Sequence, residues 1–276
     1  MATTQKAASP KKNQGFQGIR AAIWVIIVCL IIAICIYSFL LGNPSNFAGN
    51  DPAGHPTNLL GTIYKGGVIV PIIQTLLLTV IALSIERWLA LRTAFGKGSL
   101  AKFVLNVKAA VNKGDFAAAQ NICDKQRGSV ANVVSASLRA YKEMETATGL
   151  KKAQKVAKIQ QAHEEATQLE MPTLQMNLPI LATIVTLGTL TGLLGTVIGM
   201  IRSFQALAAG GGGDSLALST GISEALINTA FGILTSWCSV IAYNTFTNKI
   251  DKLTYALDEV GYSIAQTYEA NHTEEA

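Results

Sequence analysis

Glu224 is the residue whose chemistry stands out. It lies inside Leu216–Thr245, a run otherwise free of charge. An ionisable side chain at membrane depth costs on the order of 3 kcal/mol unless it faces protein or water, so it marks a functional site by default. At ~100° per residue, Glu224, Asn228, Gly232, Thr235 and Ser239 share one helical face, and Thr229 and Ser236 share an adjoining one. The preceding apolar run, Leu181–Phe204, has no charge before Arg202. In it Gly188, Gly192, Gly195 and Gly199 fall on one stripe, with Thr189, Thr196 and Ser203 on a stripe beside it. Glycines let a second helix backbone come close, which is what holds membrane helices together. Hydroxyls at the edge of that contact can hydrogen-bond water and pass protons without holding charge. Two plainer readings stay open. The stripes are a packing face with threonines bonded back to their own carbonyls, or Glu224 sits near the membrane interface and anchors a neighbouring subunit.

Other chemistry has little support. The four cysteines, Cys29, Cys35, Cys123 and Cys238, form no metal-ligand pair with a histidine at short spacing and read as small core residues. There is no phosphate loop and no nucleophile–base pair, so neither an enzyme nor a cofactor is expected. His55 lies in a Gly/Pro/Asn-rich loop with no partner in the sequence. No basic patch interleaved with aromatic residues points to nucleic acid.

The elements that must carry these residues follow from composition. Half of the 276 residues are hydrophobic and 14% are charged, well below the ~25% charge of soluble domains, which argues a membrane protein. The fold class expected is all-α, with four transmembrane helices and a helical polar region. The boundaries read as a tail over 1–18, a first span over 19–41, a periplasmic loop over 42–67 that is rich in Gly, Pro and Asn as far as Asn58, and a second span over 68–91. A helical region over 92–179 follows, then spans over 180–207 and 216–246 joined by a glycine loop over 208–215, and a C-terminal amphipathic helix over 247–276. Within the polar region, Asp115 can cap a helix from Phe116 to Lys125. The segment Leu150–Gln175 is expected to run without a turn into the glycine-striped span, kinked by Pro172 and Pro179. Glu86 beside Arg87 is either a functional pair or a charge cluster at headgroup level. Nearly all Lys and Arg lie in the two termini and the polar region, which predicts cytoplasmic termini and a cytoplasmic polar region.

The run GTLTGLLGTVIGMIRSF, followed across a short loop by GISEALINTAFGILTSWCSVIAYN, resembles the paired motif of the MotA/TolQ/ExbB proton-channel family, closest to its ExbB branch. Ile85-Glu86-Arg87 resembles the family's IER signature. The likeness covers roughly Tyr64–Thr247 and leaves out the first span, which departs from the three-span ExbB pattern. The resemblance implies an inner-membrane ring, a pentamer, enclosing an ExbD-like helix pair and coupling proton flow to a TonB-like partner; the alternatives are a TolQ-like or MotA-like stator for envelope maintenance or motility, or a membrane scaffold without an ion path. The proton-accepting aspartate then belongs to the partner. Thr196 and Thr229 match the family's channel threonines, and Glu224 matches its motif glutamate.

The expectation for the site is therefore that Thr189, Thr196 and Ser203 on one span meet Thr229 and Ser236 on the next and line a central passage. The four glycines pack against a helix. The apolar first span, Ile19–Leu41, is expected to face membrane lipid at the rim of the ring.

Overall fold

The computed structural model describes residues 22–52, 54–209 and 215–273. The tail over 1–18, the tip of the glycine loop over 210–214 and the last three residues lie outside the described residues. The described residues form helices without a named strand. Four of those helices are long and apolar enough to cross a membrane. The chain divides into two compact units: residues 19–87 with 177–247, and residues 88–176 with 248–276.

The first unit holds the apolar segments. Helix α1 (Ala22–Cys35) ends in a wider turn over Ile36–Leu41. Most of its side chains are exposed, and Ala22, Cys29 and Ala33 are the buried exceptions. Short turns over Pro44–Asn46 and Ala48–Asn50 follow. They are held by Asn46, whose amide donates to the carbonyls of Leu40 and Leu41 at 2.9 Å each. Helix α2 (Leu59–Lys65) is capped by Asn58, which accepts from Gly61 N–H at 2.9 Å. The rings of Tyr37 and Tyr64 stack at 4.7 Å, and Tyr37 donates to the Tyr64 carbonyl at 3.1 Å. Leu41, Ile63 and Val70 form the apolar cluster beneath them, flanked by Ile227 and Phe231. Helix α3 (Ile69–Phe95) starts in this unit, and helix α8 (Leu178–Ala209) lies within it. Helix α9 (Ser215–Asn271) starts here and continues unbroken through residues expected to form a separate C-terminal helix.

The second unit is built from the end of α3, helices α4 (Leu100–Asn112), α5 (Phe116–Gln126), α6 (Gly128–Thr146) and α7 (Lys152–Gln175), and the end of α9. Asp115 caps α5, accepting from Ala118 N–H at 2.9 Å. Its core includes Val107, Val111, Val133, Val134, Tyr141, Leu253, Leu257, Ile264 and Tyr268. Burial of apolar surface at ~25 cal/mol per Å² stabilises this packing.

One expectation is overturned. Helix α7 passes through Pro172 and stops at Gln175, and Met176 and Asn177 break the path before α8 starts. Asn177 takes φ 65°, a left-handed conformation that asparagine tolerates better than most residues. Pro179 then sits in the first turn of α8, where its missing N–H costs nothing.

Candidate functional site

The glycine stripe of α8 faces α9 at backbone distance. A methyl group added at Gly192 would stand 3.1 Å from the Asn228 carbonyl and from Gly232 Cα. One at Gly195 would meet Asn228 Cβ at 2.5 Å, and one at Gly199 would meet Ala225 Cβ at 2.9 Å. Gly232 is the reciprocal residue on α9: its added methyl would lie 2.6 Å from the Gly188 carbonyl and 2.7 Å from Gly192 Cα. This contact is closed to any side chain without separation of the helices.

The hydroxyls divide around it. Thr189 Oγ1 donates to Ser236 Oγ at 2.9 Å, joining the two helices. Thr229 Oγ1 donates to the Gly192 carbonyl at 3.1 Å, so it lies inside the contact. Ser203 is buried and donates to the Gly199 carbonyl at 2.9 Å, with Gly221 packed on its hydroxyl. Thr196 is half-buried and donates to Leu193 of its own helix at 2.6 Å. Thr189, Ser236 and Thr229 thus bond across the helix pair, Ser203 packs against Gly221 within it, and Thr196 bonds within its own helix.

The adjoining face of α9 turns into the unit. Ser239 donates to the Leu181 carbonyl at 2.7 Å, and Thr235 is fully buried. Asn228 is 3% exposed and its amide donates to the Gly66 carbonyl at 3.0 Å. Gly66 ends α2, so Asn228 ties α9 to the turn between α2 and α3. Glu224, one helical turn earlier, is half-buried, and Lys65 and Arg202 are the cations that act on it. An added methyl at Gly67 would stand 3.0 Å from Arg202 Nη1. Lys65 and Gly66 are not among the sequence candidates, and Asn228 is there only as a member of the Glu224 face. Lys65 looks like an ordinary loop cation, and what distinguishes it is a turn whose closure spacing does not encode.

Glu86 and Arg87 form a second polar centre. Both are buried, at 5% and 0% exposure. Arg87 pairs with the neighbouring carboxylate through Nε and Nη2, and Nε lies 2.6 Å from Oε2. Asn177 Nδ2 also donates to Glu86 Oε2 at 3.2 Å. The pair is thus an internal ion pair shielded from solvent. Breaking a buried ion pair by removing one partner costs ~3–5 kcal/mol.

In the polar unit, two groups titrate away from their ordinary ranges. Burial pushes the Cys123 thiol up to about 12, helped by the charge of Asp124. Burial lowers the pKa of His163 against the opposing influence of Asp258 and Glu164. Ser137 Oγ lies 3.1 Å from the Val133 carbonyl and 2.9 Å from His163 Nδ1. With the hydroxyl proton on Val133, the serine accepts from Nδ1–H. Nε2 is then a bare acceptor, buried without a hydrogen-bond partner. Among the described residues, no His, Cys, Asp or Glu group of three or more is placed to hold a metal.

Comparison with known proteins converges on one group. The model of the MotA/TolQ/ExbB proton channel family matches residues 128–259. The ExbB-like 1 biopolymer transport protein of Synechocystis sp. is 32% identical over 193 residues, 67% of this chain and 69% of the relative. The Tol-Pal system protein TolQ of Pseudomonas aeruginosa is 26% identical over 204 residues, 71% of this chain and 86% of the relative. The ExbB-like 3 protein of Synechocystis sp. is 37% identical over 87 residues, 31% of this chain and 41% of the relative, so that match spans less than half of its length.

Proposed function

We infer the function from descent and geometry together: the chain belongs to the MotA/TolQ/ExbB proton channel family, and we propose that it is an ExbB-like subunit of a motor driven by the proton-motive force. In this reading it sits in the bacterial inner membrane with both termini cytoplasmic. A homo-oligomeric ring, by resemblance a pentamer, encloses an ExbD-like helix pair and energises TonB-dependent transport across the outer membrane. The observation that carries the reading is the α8–α9 pair. Two helices in backbone contact place the hydroxyls of Thr189, Thr196, Thr229 and Ser236 at or beside one seam, with a single half-buried carboxylate, Glu224, on the same α9 segment.

Thr189, Thr196 and Thr229 donate to protein acceptors and Ser236 accepts from Thr189; lone pairs remain for water, so a proton can pass without a residue of this chain holding charge. The apolar segments carry no aspartate, which leaves the proton-accepting carboxylate to the partner. Leu187, Leu190, Leu194, Val197 and Ile201 on α8 are exposed, a surface for lipid, for the partner helices or for a second copy. Helix α1, exposed along most of its length, suits the lipid-facing rim of the ring.

A TolQ-like role in envelope maintenance is the second reading, favoured by the long alignment to a TolQ. Substitution in the native host tests both. Thr196→Val with Thr229→Val removes two hydroxyls at nearly constant shape. Uptake through TonB-dependent transporters should fall while native mass spectrometry still shows the ring. Loss of detergent resistance with normal uptake would favour the TolQ-like role. Full activity in both assays would mean the threonines only pack, and a species that is only monomeric would remove the ring.

A further inference from the structure

We propose that the polar unit carries a binding site for the phosphate headgroup of an anionic membrane lipid. The site is a cleft of about 1010 Å³ whose lining includes Trp88, Arg92, Lys97, Arg127, Lys249 and Lys252. Five of those six side chains are cationic, and among the described residues no carboxylate lines the cleft. The volume suits a lipid headgroup and the glycerol behind it.

The cations are held on fixed backbone. The turn after α3 is tied to the end of α5, where Lys97 N–H donates to the Gln126 carbonyl at 2.7 Å and Gln126 Nε2 donates to the Phe95 carbonyl at 2.8 Å. Gly96 and Gly128 let the two turns touch. A methyl at Gly96 would lie 2.3 Å from the carbonyls of Gln126 and Arg127, and one at Gly128 would lie 2.5 Å from the Ala94 carbonyl. Between them Arg127 takes φ 59°, ψ −179°, a region that is essentially reserved for glycine. A strained cation on the wall of a cleft points to a functional constraint, since a packing role would be met by glycine itself. Gly128 also lines the cleft and is the first residue of α6. The positive end of that helix dipole therefore adds to the charge.

Position along the chain identifies the ligand. Trp88 and Arg92 follow the apolar stretch of α3, and Lys249 and Lys252 follow that of α9. Arg92 stacks over Trp88 at 5.6 Å from the ring centroid, the pairing of aromatic belt and cation found at headgroup depth. Cationic pockets at the ends of membrane helices take anionic headgroups. A phosphodiester fixed at that depth by its acyl chains fits the site better than a free anion.

The test uses native mass spectrometry of the full chain in detergent, titrated separately with phosphatidylglycerol, acyl-matched phosphatidylcholine and inorganic phosphate. Wild type should retain phosphatidylglycerol in preference to the other two. The variant Lys97→Gln/Arg127→Gln/Lys252→Gln should lose that preference by about a hundredfold, roughly fivefold per cation. The variant Lys113→Gln/Lys142→Gln/Lys158→Gln removes as much charge from exposed positions of the same unit and should keep it. Arg127→Gly relieves the backbone strain while removing one cation, so it should fold at least as well as wild type and still lose about fivefold. Equal loss in both triple variants would reduce the effect to net charge. Phosphate binding as tight as the lipid would make the site one for a free anion, and no preference in wild type would end the proposal.

Discussion

Gly232→Ala is the sharpest test of the helix pair at the centre of the site. The added methyl meets backbone only: the Gly188 carbonyl at 2.6 Å, Gly192 Cα at 2.7 Å and Gly192 N at 3.0 Å. Ordinary contact begins at 3.4 Å, so the helices must part by about 0.8 Å (3.4 minus 2.6 Å). Overpacking of this kind costs ~1–3 kcal/mol. The same separation lengthens the Thr189–Ser236 and Thr229–Gly192 bonds from 2.9 and 3.1 Å. Each is worth about 0.6 kcal/mol between membrane helices, and the whole cost comes to roughly 2–4 kcal/mol. Gly188→Ala is the graded control. Its nearest obstacle is the Ser236 hydroxyl at 2.6 Å, which can rotate, and the Gly232 carbonyl follows at 3.0 Å. Unfolding in SDS, followed by Trp237 fluorescence, should show a large fall for Gly232→Ala and a smaller one for Gly188→Ala. A Gly232→Ala protein as stable as wild type, or a reversed order, would refute the close contact.

Three further outcomes follow from the buried polar groups. His163 has its pKa lowered on folding by burial; its contribution to stability is complete above the unfolded value of about 6.5 and is lost as pH falls from there through the folded value. His163→Phe keeps a ring against Gly261 and should flatten that slope in thermal melts between pH 7.5 and about 5. Cys123, pushed up to about 12, should resist maleimide at pH 8 in the folded chain and react when the polar unit is opened by urea; prompt labelling of the native protein would contradict its burial. At Asn177, Asn177→Gly keeps the left-handed turn and loses the bond to Glu86, while Asn177→Ala loses both. Stability in SDS should therefore fall from wild type to Gly to Ala, by about 1 kcal/mol at each step.

What could be read from the sequence was whatever repeats along one helix. Apolar length gives the four candidate spans, and ~100° spacing puts Gly188, Gly192, Gly195 and Gly199 on one stripe. Asp115 as a cap is also local, since the bond it makes closes within three residues. Features made by distant residues were not legible. The break at Met176–Asn177 carries neither glycine nor proline, while Pro172, the stronger signal, lies inside an unbroken helix. Asn228 has the same alternating spacing as its neighbours. Its distinct task, bonding Gly66 across 162 positions of chain, depends on a turn that only the fold creates. The burial of Glu86 and Arg87 was likewise hidden, because their partner Asn177 is 91 residues away from Glu86.

The hydroxyls that sequence spacing groups together are not equivalent, and that changes what a substitution can reveal. Thr229 holds the Gly192 carbonyl of the neighbouring helix. Thr229→Val removes a bond that joins α8 to α9, so a loss of function mixes proton passage with helix packing. Thr196 bonds within its own helix, where Leu193 already has its place in the backbone ladder. Thr196→Val therefore removes a hydroxyl at little structural cost. If protons pass along the seam, Thr196→Val should lower energised uptake while its SDS unfolding stays within about 0.5 kcal/mol of wild type. Thr229→Val should lower both. Loss of activity confined to Thr229→Val, in step with its stability, would place the seam among structural contacts and move the proton path to surfaces that face the partner.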